Sequence, residues 1–98
     1  MAEYTFSDTT GAIDLRAKAT FRAMPHRSIG VEPAASNTVT VEITLADDPT
    51  SGSAVWYAWD TGPVTVATMD VLYAACTGIR ARRTAGVAAG NKLIIFPT

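Results

Sequence analysis

The chain has 98 residues, eight basic against nine acidic, a formal charge of −1 and 48% hydrophobic residues. These totals fit one globular domain and exclude both a disordered chain and bulk electrostatic binding to nucleic acid, which needs a strongly basic face. The lone cysteine, Cys76, cannot form an intrachain disulfide, so packing must hold the fold, and its use fits synthesis in a reducing cytosol.

The first residues, "MAEYTFSDTT", are polar and acidic, without the charged and apolar regions of a secretory signal. In "GAIDLRAKATFRAM", Ile13, Leu15, Ala17, Ala19 and Phe21 alternate with polar residues, as in a strand. Ile13, Ala17, Phe21 and Met24 also recur at helical spacing, so residues 12–24 fit either element. "MPHRSIGVEPAAS", punctuated by Pro25, Gly30 and Pro33, reads as an irregular connector. Residues 1–36 are therefore expected to form an N-terminal arm or strand followed by that connector.

The clearest pattern is "NTVTVEITLADDP", where Val39, Val41, Ile43 and Leu45 alternate with Thr40, Glu42 and Thr44. That period predicts a half-buried strand. "ADDPTSG" supplies turn chemistry, and Ala54–Asp60 is an aromatic strand broken by Gly62-Pro63. "VTVAT" resumes the alternation through Val64 and Val66. "MDVLYAAC" fits one helical turn behind Asp70 or a corner between strands. In "GIRARRTAG", Ile79 and Ala81 take one face while Arg80 and Arg82 take the other. "AGVAAGN" has the glycines of a hairpin connection before the final strand, "NKLIIFP". The expected fold is all-β, a small antiparallel β-sandwich or barrel with its core in residues 37–98, one domain overall. No apolar run reaches the roughly 18 residues of a membrane span.

Chemistry is sparse. The single histidine, His26, has no second histidine or cysteine pair to complete metal spacing. Asp47 and Asp48 precede Pro49 as an ordinary turn, and the glycines fit no phosphate-binding loop. Nothing positions a third group beside Cys76 and His26, or makes an acid/base pair of Asp60 and Asp70. No catalytic, cofactor or metal site is expected. The binding candidates are Trp56, Tyr57 and Trp59, with Arg80 and Arg82, because Trp, Tyr and Arg dominate interface hot spots. On a pleated strand Trp56 shares a face with Ala54 and Ala58, while Tyr57 and Trp59 share the other. Arg16 and Arg22 are further interface candidates on the N-terminal segment. Much of the apolar fraction is alanine, which buries little area, so the domain gains from burying more surface between subunits.

The run "AVWYAWDTGPVTVATMDVLYAACTGIRARRTAG" resembles small structural proteins of tailed bacteriophages. The likeness rests on Trp56 and Trp59; then Gly62, Val64, Thr65, Thr68, Asp70, Val71 and Leu72; then Thr77, Gly78, Ile79, Arg80, Arg83, Thr84, Ala85 and Gly86. It covers roughly residues 37–96. Pro63 and "YAAC" depart from the pattern. The resemblance implies a β-sandwich on the virion, made in the host cytoplasm. Its role would be capsid decoration (cement) between capsomers, with a homo-oligomer, a trimer favoured. The expected partners are the major capsid protein or other virion proteins, without nucleic acid or membrane. The alternative from the same aromatics is a receptor- or glycan-binding module of a tail fibre, and a third is an orphan β-domain of cellular origin.

Overall fold

Period-two alternation shapes the whole molecule. The computed structural model describes residues 2–15, 27–72 and 76–96. These hold eight strands: β1 (Ala2–Phe6), β2 (Ile13–Asp14), β3 (Arg27–Glu32), β4 (Thr38–Thr44), β5 (Trp56–Ala58), β6 (Thr68–Leu72), β7 (Gly78–Ala85) and β8 (Asn91–Phe96). They form two four-stranded sheets, ordered β1-β8-β3-β6 and β2-β7-β4-β5. Every pairing is antiparallel. The fold is the small β-sandwich expected.

One side of each sheet faces the other. Ile29, Val31, Leu93 and Ile95 come from the first sheet and Val39, Val41, Ile79 and Ala81 from the second, all at most 1% exposed. Burial of each larger aliphatic side chain stabilises by about 1.5–3 kcal/mol. Arg27 lies on this inner side, in register with Leu72. Burial pushes its guanidinium pKa down, with nearby Cys76 opposing.

Connections differ from expectation in several places. Arg27–Glu32, inside the expected irregular connector, is a strand lying between β8 and β6. β1 pairs along its length with β8, so the described parts of residues 1–36 belong to the sandwich. Ile13–Asp14 is a strand; the rest of the helix-or-strand question, residues 16–24, lies outside the described residues. Thr68–Leu72 is a strand too, so Asp70 caps no helix. Val66 is exposed and outside any strand, as is Leu45. β7 and β8 lie in different sheets, so the glycine-rich link crosses the sandwich and is no hairpin. Only β4 and β5, among consecutive described strands, share a sheet.

Such crossings leave backbone groups to satisfy at the sandwich ends. At one end Asn37 and Asn91, both at most 1% exposed, meet side chain to side chain. Asn37 Nδ2 donates to Asn91 Oδ1 at 2.9 Å and to the Ala88 carbonyl at 2.7 Å, while Asn37 Oδ1 accepts from Ala88 N at 3.2 Å. Asn91 Oδ1 also accepts from Ala34 N at 2.9 Å, and its Nδ2 donates to the carbonyls of Phe6 and Ser7 at 3.2 and 3.0 Å. Gly86 makes room for this clasp. Its φ is +90°, and a Cβ there would lie 2.9 Å from Asn37 Cα and from the Ser36 carbonyl.

Asn91→Asp keeps the shape but removes the amide donor and buries a charge. It is expected to lower the unfolding free energy by about 3 kcal/mol, measured by urea titration. Gly86→Ala is expected to cost more than about 1 kcal/mol. Values near zero for both would mean that the clasp contributes little.

Candidate functional site

Register decides which polar side chains share a surface. β4 and β7 pair Thr40 with Arg82 and Glu42 with Arg80, and β4 and β5 pair Thr44 with Trp56 and Glu42 with Ala58. Directly opposed residues point to the same side of a sheet. Glu42, Trp56, Arg80 and Arg82 therefore stand together on the outer face of the second sheet, while the intervening Val41, Ile79 and Ala81 face the core. The expected split between Arg80/Arg82 and Ile79/Ala81 is what the structure has.

Glu42 Oε1 accepts from Arg80 Nε at 2.9 Å and from Arg82 Nε at 2.8 Å. The Arg80 guanidinium carbon lies 4.2 Å from the centroid of the Trp56 ring. Thr40 and Thr84 hydroxyls meet beside them at 3.2 Å. The carboxylate holds both arginines by one N–H each, and a guanidinium has five. Arg82 is 46% exposed at its side chain, so donors remain for an incoming carboxylate or carbonyl. One glutamate against two arginines leaves the cluster with one net positive charge. Burial pushes the Glu42 pKa up, but hydrogen bonds and charge from Arg80 and Arg82 outweigh it, and the carboxyl titrates below its ordinary range.

Other candidates fall elsewhere. Trp59 is 5% exposed, in the core. Its backbone N–H donates to the Val41 carbonyl at 3.0 Å. Tyr57 pairs with Ile43 on the inward side, but β5 is an edge strand, and the residue is 53% exposed at the rim. The pleat assignment of the three rings thus holds, and they form no single stacking shelf. After Trp59 the chain turns, with Gly62 N donating to the Trp59 carbonyl at 2.9 Å and Gly62 at φ +80°. It then returns to the same edge of β4, where Val64 bridges Val39. Gly62-Pro63 is an interruption in an edge strand, the place proline's missing donor suits. Arg83 points away from Arg82 and ties down the β1–β2 link: its backbone N donates to the Asp8 carbonyl at 2.8 Å, and its side chain pairs with the Asp8 carboxylate at 2.5 Å. Arg16, Arg22 and His26 lie outside the described residues.

Groups weighed for catalysis are placed for other work. Burial pushes the Cys76 thiol up, with Arg27 opposing only in part, so it stays protonated at neutral pH. Asp70 accepts from Thr61 Oγ1 at 2.8 Å and from Val71 N at 2.7 Å. These two bonds hold its pKa down, which suits no proton donor. Asp48 closes a turn by accepting from Thr50 N and Oγ1 at 3.0 and 2.6 Å. Among the described residues no group of three or more His, Cys, Asp and Glu could hold a metal.

Sequence reasoning missed a second surface, the outer face of the first sheet around Gly30, Met69, Ile94 and Phe96. Its signal was the glycine inside "RSIGVE", obscured by Pro25 and Pro33 on either side. No protein-family model, curated protein or solved structure matches the chain.

The two tryptophans should separate in urea titrations. Trp59→Ala is expected to cost about 3–5 kcal/mol as a core truncation, and Trp56→Ala about 1 kcal/mol, the scale of a surface cation–π contact. The reverse order would contradict the assignment of faces. Glu42 adds a pH dependence. Its contribution is complete above the unfolded glutamate pKa of about 4.3 and is lost as pH falls through the lower folded value. Glu42→Gln should flatten that acid limb; an unchanged limb would show that Glu42 does not carry it.

Proposed function

We propose that this protein is a bacteriophage virion structural protein, a capsid decoration protein that binds between capsomers and works by contact rather than by catalysis. The observation that carries the reading is the Trp56–Arg80–Glu42–Arg82 cluster on an outer sheet face. Arg80 is held by Glu42 on one side and by the Trp56 ring on the other. A side chain already fixed loses less entropy on binding, and an anchored Trp/Arg pair is the composition of an interface hot spot. Arginine's planar fork suits carboxylates on a neighbouring subunit.

The phage-like pattern supports the same reading. Its residues divide between roles: Trp59, Val64, Leu72 and Ile79 lie in the core, whereas Trp56 and Arg80, both half-buried, meet on the outer face. A sandwich of this size can cover a seam and add the ~1,200–2,000 Å² of buried surface typical of specific contacts. The glycan-binding alternative would rest on Trp56 alone, whose ring already carries Arg80, since Trp59 is buried and Tyr57 lies on the other side of its strand.

The test is co-sedimentation with capsid shells that lack this protein. Wild type is expected to bind. Trp56→Ala/Arg80→Ala should weaken binding about tenfold or more while staying folded. Absence of binding by the wild type, together with saturable quenching of Trp56 fluorescence by a glycan, would overturn the decoration reading in favour of the fibre module.

A further inference from the structure

The outer face of the first sheet joins a glycine to exposed apolar side chains. Across β3 and β8, Ser28 opposes Phe96 and Gly30 opposes Ile94; across β3 and β6, Gly30 opposes Met69. All therefore lie on one side of the sheet. Phe96 is 57% and Met69 76% exposed. Between them Gly30 floors a groove of about 410 Å³. The chain's own packing does not demand that glycine. It has no left-handed φ, and an added Cβ would make only an ordinary 3.5 Å contact with the Ile94 side chain. Glycine within a strand weakens it and often marks a place where another body comes close.

We propose that this face is an interface with a second copy of the chain, the Phe96 ring of each copy seated over Gly30 of the other. Knob and hole belong to the same face, so one two-fold axis satisfies both, which is the condition for an isologous contact. The charges fit a self-contact as well. At the end of the groove Lys92 stands between Glu3, 3.7 Å from its ammonium, and Glu32, its register partner. A rim carrying both signs can pair with its own copy and offers little to an anionic surface such as lipid. An exposed apolar patch rimmed by polar groups is the usual mark of a contact site. The inference goes beyond the proposed function: it puts a two-fold dimer in place of the trimer that the resemblance implies, on the sheet opposite to the Trp56 cluster.

Sedimentation equilibrium of the full chain from about 1 μM to 1 mM tests it. Wild type is expected to show a reversible monomer–dimer equilibrium. Phe96→Asp, which puts charge in the contact, and Gly30→Leu, which fills the groove, should each raise the dissociation constant about tenfold or more. Their melting temperatures should stay close to wild type, and Trp56→Ala should leave the equilibrium unchanged. If either variant fails to fold, Met69→Lys on the exposed edge strand replaces it, with the same expected weakening. A monomer at every concentration, a trimeric mass, a dimer indifferent to these substitutions, or one broken only by Trp56→Ala would overturn the proposal. Shell binding by a strictly monomeric chain would sink this interface while leaving the virion reading standing.

Discussion

Two carboxamides, those of Asn37 and Asn91, hold the end of the sandwich where the sheets are most often crossed. Each amide offers both donor and acceptor, and between them they satisfy backbone groups of Phe6, Ser7, Ala34 and Ala88. Phe6 ends β1, and Ser7, Ala34 and Ala88 belong to the β1–β2, β3–β4 and β7–β8 connections. Without the pair these backbone groups would lose their partners, and the Phe6 carbonyl, the one in a buried bond, would alone cost about 1–3 kcal/mol. An aspartate could accept but not donate, and an aliphatic residue could do neither, so the chemistry of the site selects asparagine. Gly86 belongs to the same constraint, because the clasp occupies the space of its missing side chain.

The clasp also aligns the faces. With the sheet ends fixed, register across β4 and β7 places Glu42 between Arg80 and Arg82, and register across β4 and β5 brings Trp56 beside them. The same frame puts Gly30 in a trough between Met69 and Phe96 on the opposite sheet. One outer face is thus charged and aromatic, the other apolar with a charged end. A domain of under a hundred residues has a limited core, and the proposed assembly would add to it the surface buried on these two outer faces.

Much of this was legible in the residues. Alternation placed β4 and β7 and sorted Ile79 and Ala81 from Arg80 and Arg82, because a half-buried strand writes its burial directly into its period. The pleat likewise separated Trp56 from Trp59. Pairing could not be read, because register is a property of two segments together. That Glu42 would sit between Arg80 and Arg82 depends on partners 38 and 40 positions away. The glycines of 86–90 suggested a turn correctly but not its destination, since the same backbone angles serve a hairpin or a crossing. β3 was hidden because Pro25, Gly30 and Pro33 are loop formers by propensity, while the strand between them is held by neighbours on both sides. Asn37 and Asn91 carry no signal in the sequence: an asparagine at a strand end is ordinary, and only the fold shows that these two meet.

An electron-microscopy map of the assembled particle tests the central claim, that the outer sheet faces are the binding surfaces, most directly. Density from a neighbouring virion protein is expected against Trp56, Arg80 and Arg82, with the Gly30–Phe96 face covered by a second copy. A particle that leaves the Trp56 cluster open to solvent, or that lacks the protein altogether, would contradict it.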